Sequence, residues 1–115
     1  MVPSDDAILT HLRRGALEYC VLATLADGSR YGLDLARSLG GDGLLLASEG
    51  TLYPLLARLR KAGMVSTIWQ ESAEGPPRRY YELTSSGREA LDTFVGVWPR
   101  FRNAVDDIVE TGGTP

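Results

Sequence analysis

The sequence predicts a mainly α-helical domain that carries a small β-hairpin and ends in a long helix, and three stretches carry that expectation. Residues 48–63 combine a helix start, a leucine stripe and a basic face. Residues 64–84 hold two runs rich in β-branched and aromatic residues, separated by a polar break that ends in Glu74-Gly75-Pro76-Pro77. Residues 86–110 repeat apolar residues at coiled-coil spacing. A helix, a basic helix and then a hairpin is the order of a winged helix-turn-helix, in which the hairpin, or wing, lies beside the groove that the basic helix enters. The closing helix then serves as a dimerisation helix.

From the N-terminus, residues 1–7 are expected to be a disordered tail. A first helix follows from Ile8 to Ala26, apolar nearly all round in its second half, as a helix running through a core would be. Asp27-Gly28-Ser29 interrupts it, and Ser29 is the expected N-cap of a second helix from Arg30 to Leu39, on which Tyr31, Leu35 and Leu39 share a face. Gly40 and Gly41 can end that helix. Leu44-Leu45-Leu46 is then expected to add a short strand against the wing.

Leu52, Leu55, Leu56 and Leu59 fall at i, i+3, i+4 and i+7, which places them on one buried side of a third helix. Tyr53, Ala57, Arg60 and Lys61 share the outward side, with Arg58 nearby. Such a face suits a DNA groove, although the stripe alone fits equally well a surface helix with solvated charges. Pro54 leaves two starts open. If Ser48 caps the helix, Pro54 lies in the second turn and removes the bond to the Gly50 carbonyl; if Thr51 caps it, Pro54 fits the first turn. Either start leaves Gly50 exposing backbone at a positive helix end, where a phosphate can approach.

In the wing, Gly75 supplies turn geometry while Pro76 and Pro77 stop ladder pairing, so a tip bearing the paired Arg78 and Arg79 should project. The last helix starts at Thr84 or Ser86, where Ser86-Gly87-Arg88-Glu89 has capping-box spacing, and runs toward Glu110. Along it Leu91, Phe94, Trp98, Phe101, Val105 and Ile108 follow a 3-4-3-4-3 spacing, the seam of a two-stranded coiled coil, whose competing arrangement is to fold back on its own domain. Pro99 beside Gly96 predicts a kink in mid-seam. The loosened packing makes Trp98, flanked by Phe94 and Phe101, a candidate site for a small aromatic effector, against the alternative that Trp98 fills the dimer core. The expected division is a tail (1–7), a winged helix-turn-helix (8–85), a dimerisation helix (86–110) and a frayed tail (111–115).

Three blocks resemble the PadR family of transcriptional regulators. They are Tyr31-Gly32-Leu33-Asp34-Leu35; Gly50-Thr51-Leu52-Tyr53-Pro54-Leu55-Leu56 with Leu59 and Gly63-Met64-Val65; and Gly75-Pro76-Pro77-Arg78-Arg79-Tyr80-Tyr81-Glu82-Leu83-Thr84 with Gly87. The sequence departs from the family pattern at Pro77 in the wing and in the loose Gly40-Gly41-Asp42-Gly43 connection. The resemblance implies a homodimeric repressor of double-stranded DNA, with a flat apolar ligand held between paired tryptophans in some members. Pairing of the seam about a two-fold axis makes the operator an inverted repeat. Tyr31, Ser48, Tyr53, Arg78 and Arg79 are expected at phosphates or sugar, and Glu49, Gly50, Thr51, Arg58, Arg60 and Lys61 nearer the groove. Glu49 can accept from cytosine or simply support the helix dipole.

Composition bounds the alternatives. A net charge of −3 is unlike the usual basic footprint of a nucleic-acid binder. Its distribution softens the objection, because residues 103–115 hold three acids and no base while residues 58–61 hold three bases and no acid. The single cysteine, Cys20, sits in an apolar stretch and argues for a reducing compartment without disulfides. The acidic start lacks signal-peptide order, no apolar run reaches membrane-spanning length, and a cytoplasmic location is expected. His11 is the only histidine, with no catalytic triad, metal spacing or phosphate loop around it, so neither an enzyme, a metal nor a cofactor is expected. A winged helix that binds proteins instead of DNA is the competing class, and the wing arginines disfavour it.

Overall fold

The computed structural model describes residues 2–111. Its elements are α1 (Asp5–Thr24), β1 (Arg30–Tyr31), α2 (Gly32–Gly40), a single 3-10 turn (Glu49–Thr51), α3 (Leu52–Lys61), β2 (Val65–Ser72), β3 (Gly75–Leu83) and α4 (Ser85–Thr111). Helices α1 to α3, the root of the sheet and the start of α4 enclose one core: Val21 and Leu22 from α1 with Leu25 just after it, Leu35 and Leu39 from α2, the four α3 leucines, Val65 and Tyr81 from the sheet, and Leu91 from α4. The leucine stripe of α3 is buried as its spacing requires.

Helix α1 begins earlier than expected, inside the segment read as a disordered tail. Ser4 Oγ accepts from the Ala7 N–H at 3.2 Å, and Asp5 and Asp6 place negative charge at the positive helix end. The helix is also two segments. Arg14 (ψ 118°) and Gly15 (φ 89°) break it, and since a Cβ at Gly15 would meet nothing within 4 Å, the glycine is required by backbone conformation and not by space. The guanidinium of Arg13, just before the break, donates to the carbonyls of Leu44 (2.9 Å) and Gly43 (2.5 Å), tying the N-terminal segment to the loop after α2.

That tie bears on the strand expected at residues 44–46, which does not form. Arg13 occupies two of the acceptors there, Leu44 and Leu45 stay exposed, and Leu46 turns into the core. The third strand is instead Arg30–Tyr31, paired antiparallel with Tyr81 and Tyr80, giving the order β1-β3-β2. Because the sheet takes these two residues, α2 starts at Gly32 after Tyr31, and the expected Ser29 cap and Arg30 start are corrected accordingly.

The wing pairs Val65↔Leu83 through Gln70↔Arg78, then slips before Ser72↔Gly75, so Pro76 and Pro77 together face the single residue Glu71. This is a bulge, and it lies where the two prolines cannot donate to the ladder. The strand therefore extends to Gly75, and Arg78 and Arg79 stand within it opposite Gln70 and Trp69, back from the turn, where the sequence had suggested the tip itself.

Of the two starts left open for α4, Thr84 is the cap, and the capping box at Ser86 does not form the start. The Thr84 Oγ1 accepts from the Gly87 N–H (3.0 Å) and donates to the Gly63 carbonyl (2.6 Å), while its N–H donates to the Met64 carbonyl (3.2 Å). Arg88 donates to the Ala26 carbonyl at 2.7 Å and fastens the other flank. The helix then continues through Gly96 and Pro99 to Thr111 without interruption. The frayed tail expected at 111–115 falls outside the described residues beyond Thr111, which is still helical.

Candidate nucleic-acid interface

The 3-10 turn settles the two starts left open by Pro54. Ser48 precedes the turn in extended conformation, and the Thr51 N–H (3.2 Å) and Oγ1 (2.7 Å) both donate to its carbonyl. Thr51 is the N-cap residue of α3, Pro54 lies in the first turn, and no backbone bond of the helix is sacrificed. Ser48, Glu49, Gly50 and Thr51 are all exposed at this positive end. A Cβ at Gly50 would meet only Ser48 Oγ, at 3.9 Å, so the fold itself leaves the space above Gly50 open.

Next to it stands a cluster of tyrosines. Gly32 lets the rings close in, since a Cβ there would lie 3.3 Å from Tyr53 and 3.5 Å from Tyr81. Tyr53 is half exposed at the start of α3. Partial burial, with lesser contributions from Tyr31, Glu49 and Tyr81, pushes its phenol above the usual tyrosine range, so at neutral pH it is a firm hydrogen-bond donor. Those contributions also place Glu49 in the field of the Tyr53 hydroxyl.

Successive residues on a strand face opposite ways, and this separates the two wing arginines. The guanidinium of Arg78 lies 4.8 Å above the Tyr31 ring, beside Tyr80, whose ring is 5.9 Å from that of Tyr31. Arg79 points to the other face, 5.9 Å from the Trp69 ring and 5.8 Å from that of Tyr81. There it lines an open groove of about 360 Å³ between α3 and the wing, floored by Leu56, Ala57 and Tyr81 and bordered by Tyr53, Arg60 and Lys61. The pair read from the sequence is thus two cations stacked on opposite faces of the wing, which both also border a second cleft beside the turn with Tyr31 and Trp69.

The structure brings together Tyr31, Arg78 and Tyr80 on one side of the wing, and Tyr53, Arg60, Lys61 and Arg79 on the other, with Ser48 to Thr51 exposed at the start of α3. It does not bring Arg58 into either group. The Arg58 guanidinium is directed to Glu18 of α1 at 4.0 Å, with Arg58 largely and Glu18 partly exposed. Trp69, absent from the sequence-derived set, joins the site by stacking on Arg79. Its signal was the register of the hairpin, which places it directly across from Arg79.

The seam of α4 is graded. Leu91 is buried, and Phe94 stacks on Tyr19 of α1 at 4.4 Å and 8°. Trp98 stacks on Phe94 (5.7 Å, 14°), and Phe101 leans against Trp98 (6.3 Å, 33°). Beyond them Val105 and Ile108 are exposed. The first two seam positions therefore pack on the chain's own α1 and the remaining four are open. Cys20 is half buried, and burial pushes its thiol up, which lowers its nucleophilicity. Among the described residues no helix is long and apolar enough to cross a membrane, and no cluster of three potential metal ligands occurs.

Comparison with known proteins agrees with this geometry. Residues 21–93 match the transcriptional regulator PadR-like family. The chain is 35% identical over 83 residues to a transcriptional regulator of Mycobacterium tuberculosis, covering 72% of this chain and 76% of that one. A crystal structure of a PadR family regulator from Eggerthella lenta superposes with a TM-score of 0.77 at 32% identity, covering 92% of each chain. A PadR-like regulator from Bacillus cereus gives 0.76 at 32% identity, covering 86% of this chain and 96% of that one. The match runs from the end of α1 through the wing to the start of α4, and its family consists of transcriptional regulators, not enzymes: the chain belongs to the PadR-like family and is a DNA-binding regulator of transcription.

Proposed function

We propose that this regulator is a cytoplasmic homodimeric repressor that holds an inverted-repeat operator and is released by a flat, apolar effector lodged against Trp98. The observation that carries this reading is the open end of the α4 seam. Trp98 is 37% exposed, Phe101 60%, Val105 43% and Ile108 73%, all on one stripe of a helix whose first turns are already packed. An apolar stripe of this kind is stabilised by burial against its symmetry mate. The aromatic run Phe94-Trp98-Phe101 then meets its own copy across the two-fold axis, where a planar ligand gains offset stacking of about 0.5–1.5 kcal/mol beyond area burial.

On DNA, Tyr31, Ser48, Tyr53, Arg78 and Arg79 take phosphates or sugar, while Glu49, Gly50, Thr51, Arg60 and Lys61 lie toward the bases. Arg58, turned toward Glu18, takes a lesser part than the sequence alone had suggested. The ligand regulates only through a difference in affinity between two dimer geometries, one fitting the operator and one not.

The test begins with selection of genomic DNA fragments on purified protein, where one enriched inverted repeat is expected. Operator affinity should then fall about 10³–10⁵-fold between 50 and 200 mM salt if six to ten phosphates are contacted per dimer. A flat titration rejects DNA readout and favours a protein-binding winged helix. Planar aromatics are screened by tryptophan fluorescence in a Trp69→Phe background, with Trp98 as reporter. Saturable quenching that lowers operator affinity is expected; quenching without an effect on affinity makes Trp98 a packing residue only.

A further inference from the structure

The groove between α3 and the wing contains more charge than the fold neutralises. Arg60, Lys61 and Arg79 all border it, and among the described residues the one ion pair is that of Arg58 with Glu18, so none of the three has a carboxylate within 4.0 Å. This is notable in a chain whose net charge is −3. Arg79 is also held in an unusual way. Its Nε is buried without a hydrogen-bond partner, and its guanidinium carbon lies over the rings of Trp69 and Tyr81, at 5.9 and 5.8 Å from their centres. Trp69 is 68% exposed, too far from the core to be explained by packing. An exposed tryptophan stacked on an arginine restricts a long, flexible cation to one place before anything binds, which lowers the ordering cost of binding.

We infer that this groove seats one backbone phosphate of the operator, with Arg79 as its fixed cation and Trp69 as the positioning residue for Arg79. The inference rests on the DNA-binding reading and deepens it. When α3 enters a major groove and the wing reaches the adjoining minor groove, the sugar-phosphate strand separating the two grooves must pass across the gap between helix and wing. That gap is this groove. Arg79 meets the passing strand from the wing side, while Arg60 and Lys61, placed toward the bases, border the same groove and add to the positive field that the strand crosses. The Tyr53 hydroxyl, on the same rim, supplies a neutral donor. A contact of this kind carries register and not base identity, so its loss weakens all sequences alike.

The experiment measures operator affinity at 50 and 200 mM salt for the full-length protein and the variants Arg79→Gln, Trp69→Leu, Trp69→Phe and the double variant Arg79→Gln/Trp69→Leu, each first checked for unchanged circular dichroism. One neutralised phosphate contributes about 0.9 to the logarithmic salt slope, so the fourfold rise in salt should cost Arg79→Gln about 3.5-fold less affinity per protomer than wild type, or about 12-fold less for two protomers on one operator. Trp69→Leu is expected to lose affinity in the same direction, Trp69→Phe to restore it, and the double variant to be no weaker than Arg79→Gln alone. A role for Trp69 in stability only would not give that coupling. The inference is overturned if Arg79→Gln keeps the wild-type slope, or if the Trp69→Leu and Arg79→Gln losses simply add. A wild-type protein with no salt-dependent affinity for any duplex overturns the DNA reading and this seat together. Retained wild-type binding with an unchanged Arg79→Gln slope overturns the seat alone. Competition by inorganic phosphate at millimolar concentration that is abolished by Arg79→Gln, with no effect of Arg79→Gln on the DNA salt slope, assigns the groove to a small anion and likewise overturns the DNA seat.

Discussion

Replacing Gly87 by alanine should damage this protein out of proportion to the one carbon added. A Cβ at Gly87 would lie 2.0 Å from the Met64 carbonyl oxygen and 3.0 Å from Leu83 Cδ2, whereas real Cβ atoms essentially never come closer than 3.0 Å. The obstacle is backbone and has no rotamer to yield, so the start of α4 must move away from the start of β2 by at least 1.0 Å, the difference of those two distances. The same carbonyl accepts from the Thr84 N–H, so the movement also strains the cap of α4. Overpacking of this kind costs about 1–3 kcal/mol. Leu91 is buried and fixes the helix about 6 Å further along, so the displacement becomes a tilt of roughly 10°, carried to about 4 Å at Ile108 at the helical rise. In the proposed dimer this changes the spacing of the two α3 helices. Urea unfolding should show a lower midpoint at unchanged slope, and affinity for the inverted repeat should fall more than affinity for random duplex. Gly96→Ala, in the same helix with nothing within 4 Å of its Cβ, is the control and should stabilise by about 0.5–1 kcal/mol through helix propensity. A Gly87→Ala protein within about 0.5 kcal/mol of wild type, with unchanged operator affinity, would refute the reasoning.

Phe101→Glu with Val105→Glu should give a folded monomer with weak DNA binding, seen as a halved mass in sedimentation; an unchanged mass rejects the seam as the interface. The phenol of Tyr53 is raised in the folded state, so its contribution is present below the unfolded tyrosine value of about 10 and is lost as pH rises beyond it. Chemical denaturation between pH 9 and 11.5 should therefore show a stability decline that Tyr53→Phe makes shallower. Cys20, half buried with its thiol pushed up, should react with an aromatic disulfide reagent more slowly in the native protein than in urea. Equal rates would mean the site opens freely.

The parts of the fold legible in the sequence were those written as repeated spacing. Leu52, Leu55, Leu56 and Leu59 report the buried side of α3 because four residues at helical period leave no other arrangement, and the two β-rich runs around Gly75 report the wing for a similar reason. What escaped was set by single residues acting over distance. Gly15 lies inside the one helix expected from Ile8 to Ala26, and its φ of 89° breaks α1; the bonds of Arg13 to Gly43 and Leu44 take the place of the expected strand, and no spacing reports them. Arg30 and Tyr31 carried helix periodicity, yet the free edge of β3 claimed them. In the interface, residue types were legible and facing was not. Arg78 and Arg79 looked alike as neighbours, and Trp69 looked like any strand aromatic, because only strand register decides which of them meet.

The bulge at Pro76 and Pro77 has a consequence for how this wing tolerates changes in length. A one-residue slip between β2 and β3 would turn Arg79 away from α3 and bring Arg78 toward it, exchanging the cations of two surfaces. The two prolines lie between the arginines and the turn, and their mismatch against Glu71 is already absorbed there, so the pairing of Gln70 with Arg78 and of Trp69 with Arg79 is insulated from the turn. Inserting or deleting residues at Ala73 and Glu74 should thus lengthen or shorten the reach of the wing while leaving both arginines facing as they do. Removing one proline would transmit the change straight to them. The turn is the place to graft a new sequence onto this scaffold, and the proline pair is the boundary that such a graft must not cross.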